Sequence, residues 1–226
     1  MRHSRYKYFS NIDHAREFSE GGVYHQTLAF FRDYEDAAAK QVIGDEFEST
    51  RVYRPADGLQ VNNLTRGTSF PLQMDFESSA RAGEIYVFCM SFAFTDELVH
   101  EFKAQACVEI LRPAIFINRW LAALPKDAGH FAKKVDYYQP ENVPGNVWPQ
   151  PHLIATTKLA RFSYQQEYRL GFSTTGALDF GQATQQLVNR RARPAAKPDE
   201  HHHWTLALGD LRDICTVHPV RGVTLP

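Results

Sequence analysis

The segment Glu84–Phe92, with the sequence EIYVFCMSF, constrains the fold most because it is the most apolar run of the chain. Its β-branched and aromatic residues predict a central strand that is buried on both faces. The other predicted elements do not alternate regularly. Strands are predicted over residues 5–9, 23–31, 106–111, 131–138, 162–172 and 204–208, and helices over 12–20, 96–104, 113–124 and 152–160. This irregular order predicts an α+β fold with a central mixed or antiparallel sheet.

The length of 226 residues predicts a single domain that spans residues 1–226. A hydrophobic share of 43% is sufficient for a sizeable core. The segment 181–203 differs from the rest, because it is polar and basic and then rich in proline, alanine and histidine. It offers little apolar surface to offset the entropy of ordering, so we expect a flexible excursion there.

Charge and cysteine content restrict where the protein works. A formal net charge of −1 gives no global field that would favour nucleic acid or an anionic membrane. No apolar run reaches the length of a bilayer span, and the first residues lack the apolar stretch of a secretory signal. The cysteines Cys89, Cys107 and Cys215 are far apart and form neither a disulfide framework nor a zinc spacing. We therefore expect a cytoplasmic protein that does not contact a membrane.

The strongest local signal for chemistry is the segment Tyr164–Arg169, with the sequence YQQEYR, in the predicted strand 162–172. Side chains alternate between the two faces of a strand, so Gln165, Glu167 and Arg169 are predicted to share one face. The opposite face carries mostly apolar side chains and is predicted to pack on the core. A carboxylate with an amide two residues before it can bind a ribose hydroxyl while the amide selects an acceptor. A solvated strand face with a Glu167–Arg169 ion pair is the competing interpretation.

The Gln-x-Glu pattern on a late strand resembles the acceptor-and-catalysis motif of mono-ADP-ribosyltransferases. Those folds open with a strand that carries Arg or His, followed by a helix and a second strand that carries Ser-Thr or Tyr. The order here is similar: Arg5–Tyr8, a helix, Tyr24–Thr27, and Gln165-x-Glu167 late in the chain. The chain departs from the family in having no Ser-Thr-Ser. The resemblance implies an ADP-ribosyltransferase-like fold and an enzyme that cleaves NAD, either as a transferase or as a glycohydrolase.

The same resemblance implies roles for individual residues. Glu167 is expected to hydrogen-bond the nicotinamide ribose, and Gln165 is expected to orient the acceptor. A basic residue of the first strand would meet the pyrophosphate, and a tyrosine would stack on nicotinamide. The residues expected to contact NAD, which come from the first two predicted strands, are Arg5, Lys7, Tyr8, Tyr24, Gln26 and Thr27.

The chain as a whole also resembles an uncharacterised bacterial family. The pieces that carry this resemblance are Tyr6–Tyr8, Gly44–Glu48, Cys89–Ser91 and Glu167–Leu170. Members of that family are often found among candidate phage-defence and toxin proteins. The resemblance implies an intracellular effector that modifies a macromolecular acceptor, either protein or nucleic acid, and that has an antitoxin or another complex partner.

Two further hypotheses rest on other features. The acidic loop Gly44–Glu48 is compatible with a metal-dependent nuclease, because Asp45 and Glu48 could give oxygen ligands to a hard divalent ion. The histidines of His201–His203 cannot all face one ion, and no other ligand pattern predicts a catalytic metal. The third hypothesis is a non-catalytic binding or immunity partner that uses the polar strand face as an interface.

Overall fold

The structure, a computed structural model, describes residues 4–33, 45–143, 145–189 and 201–220. Within these ranges the chain is an α+β protein in which nearly all strand pairs are antiparallel. The strands are β1 (Arg5–Phe9), β2 (Gly22–Thr27), β3 (Thr50–Tyr53), β4 (Leu59–Asn63), β5 (Thr68–Leu72), β6 (Met74–Ser79), β7 (Tyr86–Ser91), β8 (Ala106–Ile110), β9 (Gly129–Lys134), β10 (Asp136–Tyr138), β11 (Thr157–Leu159), β12 (Glu167–Ser173), β13 (Thr184–Asn189), β14 (His203–Ala207) and β15 (Cys215–Pro219). The helices are α1 (Ile12–Ser19), α2 (Leu28–Arg32), α3 (Asp96–Glu101), α4 (Pro113–Ala123) and α5 (Pro151–Ile154).

Strand β7 lies at the centre of an antiparallel sheet that has eight strands in the described part of the chain. Strand β12 pairs with one side of β7, from Glu167 opposite Ser91 to Phe172 opposite Tyr86. The other side is divided, because β1 pairs with β7 only at Tyr6 opposite Ser91 and β2 pairs only near the opposite end. The sheet therefore continues through β12 to β9 on one side and splits into β1–β8–β15 and β2–β14 on the other. This arrangement confirms the prediction that the apolar run forms a central strand.

The main core lies between the sheet and helices α1 and α4. The rings of Phe18 from α1, Phe88 from β7 and Phe116 from α4 have their centroids 5.5–5.9 Å apart. Trp120 is completely buried and donates its indole N–H to Nε2 of the buried His25 at 2.9 Å. Large aromatic side chains are thus a major component of this core.

The opposite face of the sheet packs on the short helices α2 and α5. Leu28 and Ile154 are fully buried there and belong to one cluster with Val87 and Phe131. Strands β3, β6 and β13 form a small antiparallel sheet, and β4 and β5 form a hairpin. Strands β10 and β11 form a parallel pair.

Several predicted elements end earlier than expected. The predicted strand over 23–31 stops at Thr27, and Leu28–Arg32 form helix α2. An apolar run does not by itself distinguish a buried strand from a buried helix, which explains this error. The predicted strand over 131–138 is divided between β9 and β10, and the predicted helix over 152–160 ends at Ile154.

Within the segment 181–203, where a flexible excursion was predicted, Thr184–Asn189 form β13 and pair with β6. Val188 is the one buried residue of this strand. Backbone hydrogen bonds to β6 therefore order a segment whose composition is polar, and composition alone did not predict them. Residues 190–200 of the predicted excursion lie outside the described residues.

Candidate active site

A pocket lies where the sheet splits. Strand β1 leaves β7 after Tyr6, and side chains from both strands line the cavity that results. The cavity has a volume of about 190 Å³. Residues from β1, α2, the loop before β3, β7, the end of α3, β11 and the start of β12 form its walls. They are Tyr6, Lys7, Tyr8, Ser10, Phe31, Glu48, Cys89, Met90, Ser91, Phe102, Lys158, Gln165, Glu167 and Arg169.

Five of these side chains form a buried ion-pair network, which consists of Glu48, Lys158, Gln165, Glu167 and Arg169. Nζ of Lys158 donates to Oε1 of Gln165 at 2.8 Å and lies 3.4 Å from Oε1 of Glu167. Arg169 donates from Nε to the other oxygen of Glu167 at 2.9 Å. The same guanidinium binds both oxygens of Glu48, at 2.5 and 3.0 Å. Each charged group of the network therefore has an opposite charge beside it, as burial requires.

Gln165 and Glu167 meet in this network for a different reason from the one predicted. Residues Ala160–Gln165 form a 3₁₀ turn, so the strand expected to begin at Phe162 begins at Glu167. Gln166 ends the turn in a left-handed conformation with φ of 44°. The chain reverses there, and both side chains reach Lys158 although they do not alternate along one strand. Glu167 and Arg169 share one face of β12, as the strand pattern predicts. Gln165 does not belong to that strand and reaches the same network from the 3₁₀ turn.

Two hydrogen bonds fix this reversal against the central strand. The hydroxyl of Ser91 donates to the carbonyl of Gln165 at 2.8 Å, and the N–H of Phe92 donates to the carbonyl of Gln166 at 3.0 Å. The backbone N–H of Glu167 donates to the hydroxyl of Tyr137 at 2.8 Å. The position of the Glu167 carboxylate is therefore set by the end of β7 and by β10.

The electrostatics of the pocket keep Glu167 ionised. Burial alone would raise the pKa of Glu167, but the charges and hydrogen bonds of Arg169 and Lys158 outweigh it and hold the pKa at about 2. The neighbouring Asp45 shows the opposite effect. Burial, followed by repulsion from Glu48, raises the pKa of Asp45 to about 6. Its Oδ2 atom is buried without a hydrogen-bond partner in the described residues.

Lys7 differs from the other cations of the pocket. Its ammonium lies 4.8 Å from the centre of the Phe88 ring, and the described residues give it no hydrogen bond or ion pair. Burial lowers the pKa of Lys7, and the nearby Cys89 and Glu167 oppose this shift. Lys7 is thus a cation that faces the cavity with its hydrogen-bonding capacity unused.

The structure brings together four of the eight predicted site residues. Lys7, Tyr8, Gln165 and Glu167 line the pocket. The other four, Arg5, Tyr24, Gln26 and Thr27, are not among its lining residues, so this pocket does not bring them together with Glu167.

Each of these four has a different environment. The guanidinium of Arg5 lies 3.8 Å from the centre of the Phe92 ring. Tyr24 is exposed and accepts a hydrogen bond from Gln26 at 2.8 Å, while Thr27 is fully buried at the start of α2. For the three residues of β2, the physical reason is that this strand pairs with the far end of β7, away from the split.

Sequence patterns did not predict Lys158 or Glu48 as members of this site. Lys158 lies in Thr-Thr-Lys-Leu and has no local companion that would mark it. Glu48 was considered as a metal ligand, yet both of its oxygens bind Arg169. Ion pairs between residues 121 positions apart leave no local signal. The described residues contain no group of three or more His, Cys, Asp or Glu side chains that could hold a metal ion.

Cys89 and Ser91 lie in the pocket wall without features of a nucleophile. Burial, followed by the charge of Glu167, raises the pKa of Cys89 to about 11, so the unreactive thiol predominates at neutral pH. The hydroxyl of Ser91 is engaged with the carbonyl of Gln165.

Comparisons of the chain with models of protein families, with curated proteins and with solved structures find no match. The helices in the described ranges are all too short or too polar to cross a bilayer.

Proposed function

We propose that the pocket is the active site of an enzyme that breaks the bond between nicotinamide and ribose in NAD. The observation that carries this proposal is the ionised Glu167 carboxylate, which lines a pocket together with Lys7. An early strand with a basic residue and a late Gln-x-Glu meet in one cavity, which is the relationship expected from the resemblance to ADP-ribosyltransferases.

The chemistry requires stabilisation of positive charge. When the bond breaks, its electron pair stays on the nicotinamide nitrogen, which leaves as a neutral molecule, and positive charge develops on the ribose. A carboxylate held in a fixed position offsets such charge. Glu167 keeps capacity to accept from a ribose hydroxyl beside its bonds to Arg169 and Lys158, because two carboxylate oxygens offer about four lone-pair sites. Water then adds its oxygen to the ribose carbon and releases a proton to solvent. The products are ADP-ribose, nicotinamide and a proton, so no further reactant is needed.

The size of the cavity indicates that only part of NAD enters it. Its volume of about 190 Å³ is below the range of roughly 300–1,000 Å³ that holds whole drug-sized ligands. We assign the nicotinamide ribose to the interior, beside Glu167 and the ring of Tyr8. Lys7 provides the positive charge for the pyrophosphate, because its ammonium has no competing partner among the described residues.

The environment of Gln165 favours water over a macromolecule as the acceptor. Its side chain is only 1% exposed, and its amide accepts from Lys158 and donates to Tyr164. An amide held in this way positions Lys158 and does not present itself to an incoming protein or nucleic acid. We therefore favour NAD glycohydrolysis, with transfer to a macromolecular acceptor as the alternative outcome.

Consumption of NAD inside a cell would suit an intracellular toxin or phage-defence effector, as the resemblance to the bacterial family implies. An effector of this kind needs restraint until it is required. A binding partner such as an antitoxin is therefore part of the proposal.

The test is release of nicotinamide from NAD by purified protein, quantified chromatographically. Glu167→Gln keeps the shape and removes the charge, and loss of one such contact should lower turnover on the order of a hundredfold or more. Glu141→Gln, at an exposed glutamate outside the pocket, is the matched control and should equal wild type. A thermal melt of each variant identifies the fraction folded, because Glu167→Gln also weakens the ion-pair network.

Failure of the wild-type protein to release nicotinamide would sink the proposal. NAD that carries an isotopic label on its ADP-ribose distinguishes the two acceptors. Label in free ADP-ribose indicates hydrolysis, and label on protein or nucleic acid from a cell extract indicates transfer.

A further inference from the structure

An exposed aromatic side chain contacts two of the residues that line the pocket. Phe94 lies between β7 and α3 and is 48% exposed. The hydroxyl of Tyr8 holds the backbone on both sides of it, because it donates to the carbonyl of Ala93 at 2.8 Å and accepts from the N–H of Thr95 at 3.2 Å. Thr95 also caps helix α3 through its side chain. The ring of Phe94 is therefore presented to solvent from a fixed backbone.

This ring continues the aromatic wall of the pocket. Its centroid lies 5.8 Å from that of Tyr6 and 6.2 Å from that of Tyr8, with interplanar angles of 26° and 23°. Both tyrosines line the cavity. We call Tyr6, Tyr8 and Phe94 the aromatic platform. The aromatic platform thus joins two residues of the cavity wall to the exposed ring of Phe94.

A polar group borders the aromatic platform. Glu109 accepts a hydrogen bond from the hydroxyl of Tyr6 at 3.3 Å and lies 3.1 Å from Nε2 of His218. The ring of His218 lies 6.4 Å from Phe94. Hydrogen bonds from Ser4 and from His218 lower the pKa of Glu109, so its carboxylate is ionised and can accept from an amino group.

The size of the cavity decides what the aromatic platform would bind. If NAD is the substrate, its nicotinamide ribose fills the cavity and its second ring system remains outside. We propose that the aromatic platform binds the adenine ring of the substrate by stacking on Phe94. This inference rests on the proposed function for the identity of the ligand, and it assigns a site to the half of the ligand that the cavity excludes. Purine rings stack on aromatic side chains through their π-faces, and an exposed ring on a fixed backbone is suited to this role.

The direct test uses AMP as the probe, because AMP carries the adenine ring and no bond that the enzyme would break. Isothermal titration compares wild type, Phe94→Ala, Phe94→Trp and Phe70→Ala. Phe70 is also 48% exposed but lies in β5, so it controls for loss of an exposed phenyl ring. Phe94→Ala should weaken AMP binding on the order of tenfold or more, as removal of a stacked aromatic ring does, while Phe94→Trp retains it and Phe70→Ala equals wild type.

A kinetic comparison separates this inference from the proposed function. Phe94→Ala should raise KM for NAD without lowering kcat, and it should leave cleavage of nicotinamide mononucleotide unchanged because that substrate has no adenine. Binding of AMP through Phe94 without release of nicotinamide would uphold the aromatic platform and overturn the hydrolase. Cleavage of NAD with equal KM in wild type and Phe94→Ala, or equal AMP affinity in both, would overturn the aromatic platform alone. Absence of AMP binding to wild type at millimolar concentration would also overturn it.

Discussion

Arg169 and Glu48 are 121 positions apart in the sequence and form a bidentate ion pair in which both side chains are at least 98% buried. The pair joins β12 to the loop before β3 and closes one wall of the pocket. Arg169 also binds Glu167 and the carbonyl of Ala155, so all parts of its guanidinium are engaged. The geometry of the candidate active site therefore depends on a guanidinium whose nitrogens are all bound to other groups of the protein.

Removal of this guanidinium should destabilise the fold strongly. Arg169→Met leaves two buried carboxylates, Glu48 and Glu167, without their main partner, and breaking a buried ion pair in this way costs roughly 3–5 kcal/mol. The free energy of unfolding from urea denaturation measures the loss. Arg16→Met, which breaks an exposed pair with Asp13, should cost less than about 1 kcal/mol. Similar losses in the two variants would contradict the assigned role of Arg169.

Ionisation of the buried Asp45 carboxyl should lower the free energy of unfolding as the pH rises. Its pKa is about 6 in the folded chain and near 3.8 when unfolded, so between these values the folded state holds a proton that the unfolded state has lost. Stability therefore falls from pH 4 to 6 because of this group. Asp45→Asn removes the effect and should gain about 3 kcal/mol relative to wild type at pH 7 but nothing at pH 4. Urea denaturation at both pH values tests this.

The exposed neighbour Glu46 is the matched control for that experiment. As a surface substitution, Glu46→Gln should stay within about 0.5 kcal/mol of wild type. A gain for Asp45→Asn that is equal at pH 4 and pH 7 would show that burial of the charge is not its cause.

The buried His25 should raise the free energy of unfolding as the pH rises, which is opposite to the effect of Asp45 over the same range. Burial lowers the pKa of His25 to about 4, and its ring donates from Nδ1 to the carbonyl of Val23 and accepts at Nε2 from Trp120. The unfolded chain takes up a proton near pH 6.5, so stability rises with pH from 4 to 6.5, by about 3 kcal/mol in total. The pH profile of Asp45→Asn should therefore climb more steeply than that of wild type.

Histidine NMR resonances provide a direct check on His25. Its ring signals in the folded protein should stay those of neutral imidazole with a proton on Nδ1 down to about pH 5, while the unfolded protein in urea gives the reference titration. A midpoint near 6.5 in the folded protein would contradict this assignment.

The central part of the fold follows from local sequence. The apolar run in β7, the aromatic strand β1 and the helix that starts at Pro113 all lie close to their predicted positions, because each has a strong periodic or capping signal. The end of the predicted strand at 23–31 was wrong because Leu28–Phe31 form an apolar run, with Leu28 and Ala29 buried, and such a run fits a strand as well as a helix.

The candidate site was only partly predictable for a different reason. Gln165 and Glu167 were found from their spacing, but the turn that brings them together depends on the left-handed conformation of Gln166, which is rare for a residue with a side chain. Glu48 enters the site through an ion pair with Arg169, which is 121 positions away. Lys158 enters it through contacts across the 3₁₀ turn, to Gln165 and Glu167, which are 7 and 9 positions away. Such pairs are properties of the folded topology, and no short pattern encodes them.

The charge of Lys7 should lower the free energy of unfolding, although it would help to bind NAD in the proposed function. Its ammonium lies 4.8 Å from the centre of the Phe88 ring at the cavity and has no hydrogen bond or ion pair with the described residues. A cation held in this way is unfavourable, and substitutions that relieve such strain at active sites commonly stabilise by about 0.5–2 kcal/mol. Lys7→Met keeps the length of the side chain and removes the charge, so it should raise the free energy of unfolding at pH 7 and lower affinity for NAD.

The pH dependence of this gain identifies its origin. Burial lowers the pKa of Lys7, so above neutral pH the unfolded chain holds a proton more tightly than the folded one, and the penalty on wild type shrinks as the pH rises. The advantage of Lys7→Met in urea denaturation should therefore decrease between pH 7 and pH 10. Lys133→Met, at an exposed lysine of β9, should differ little from wild type at either pH. A lower stability of Lys7→Met at pH 7 would show that Lys7 has a stabilising partner and would remove the reason to assign it to the substrate.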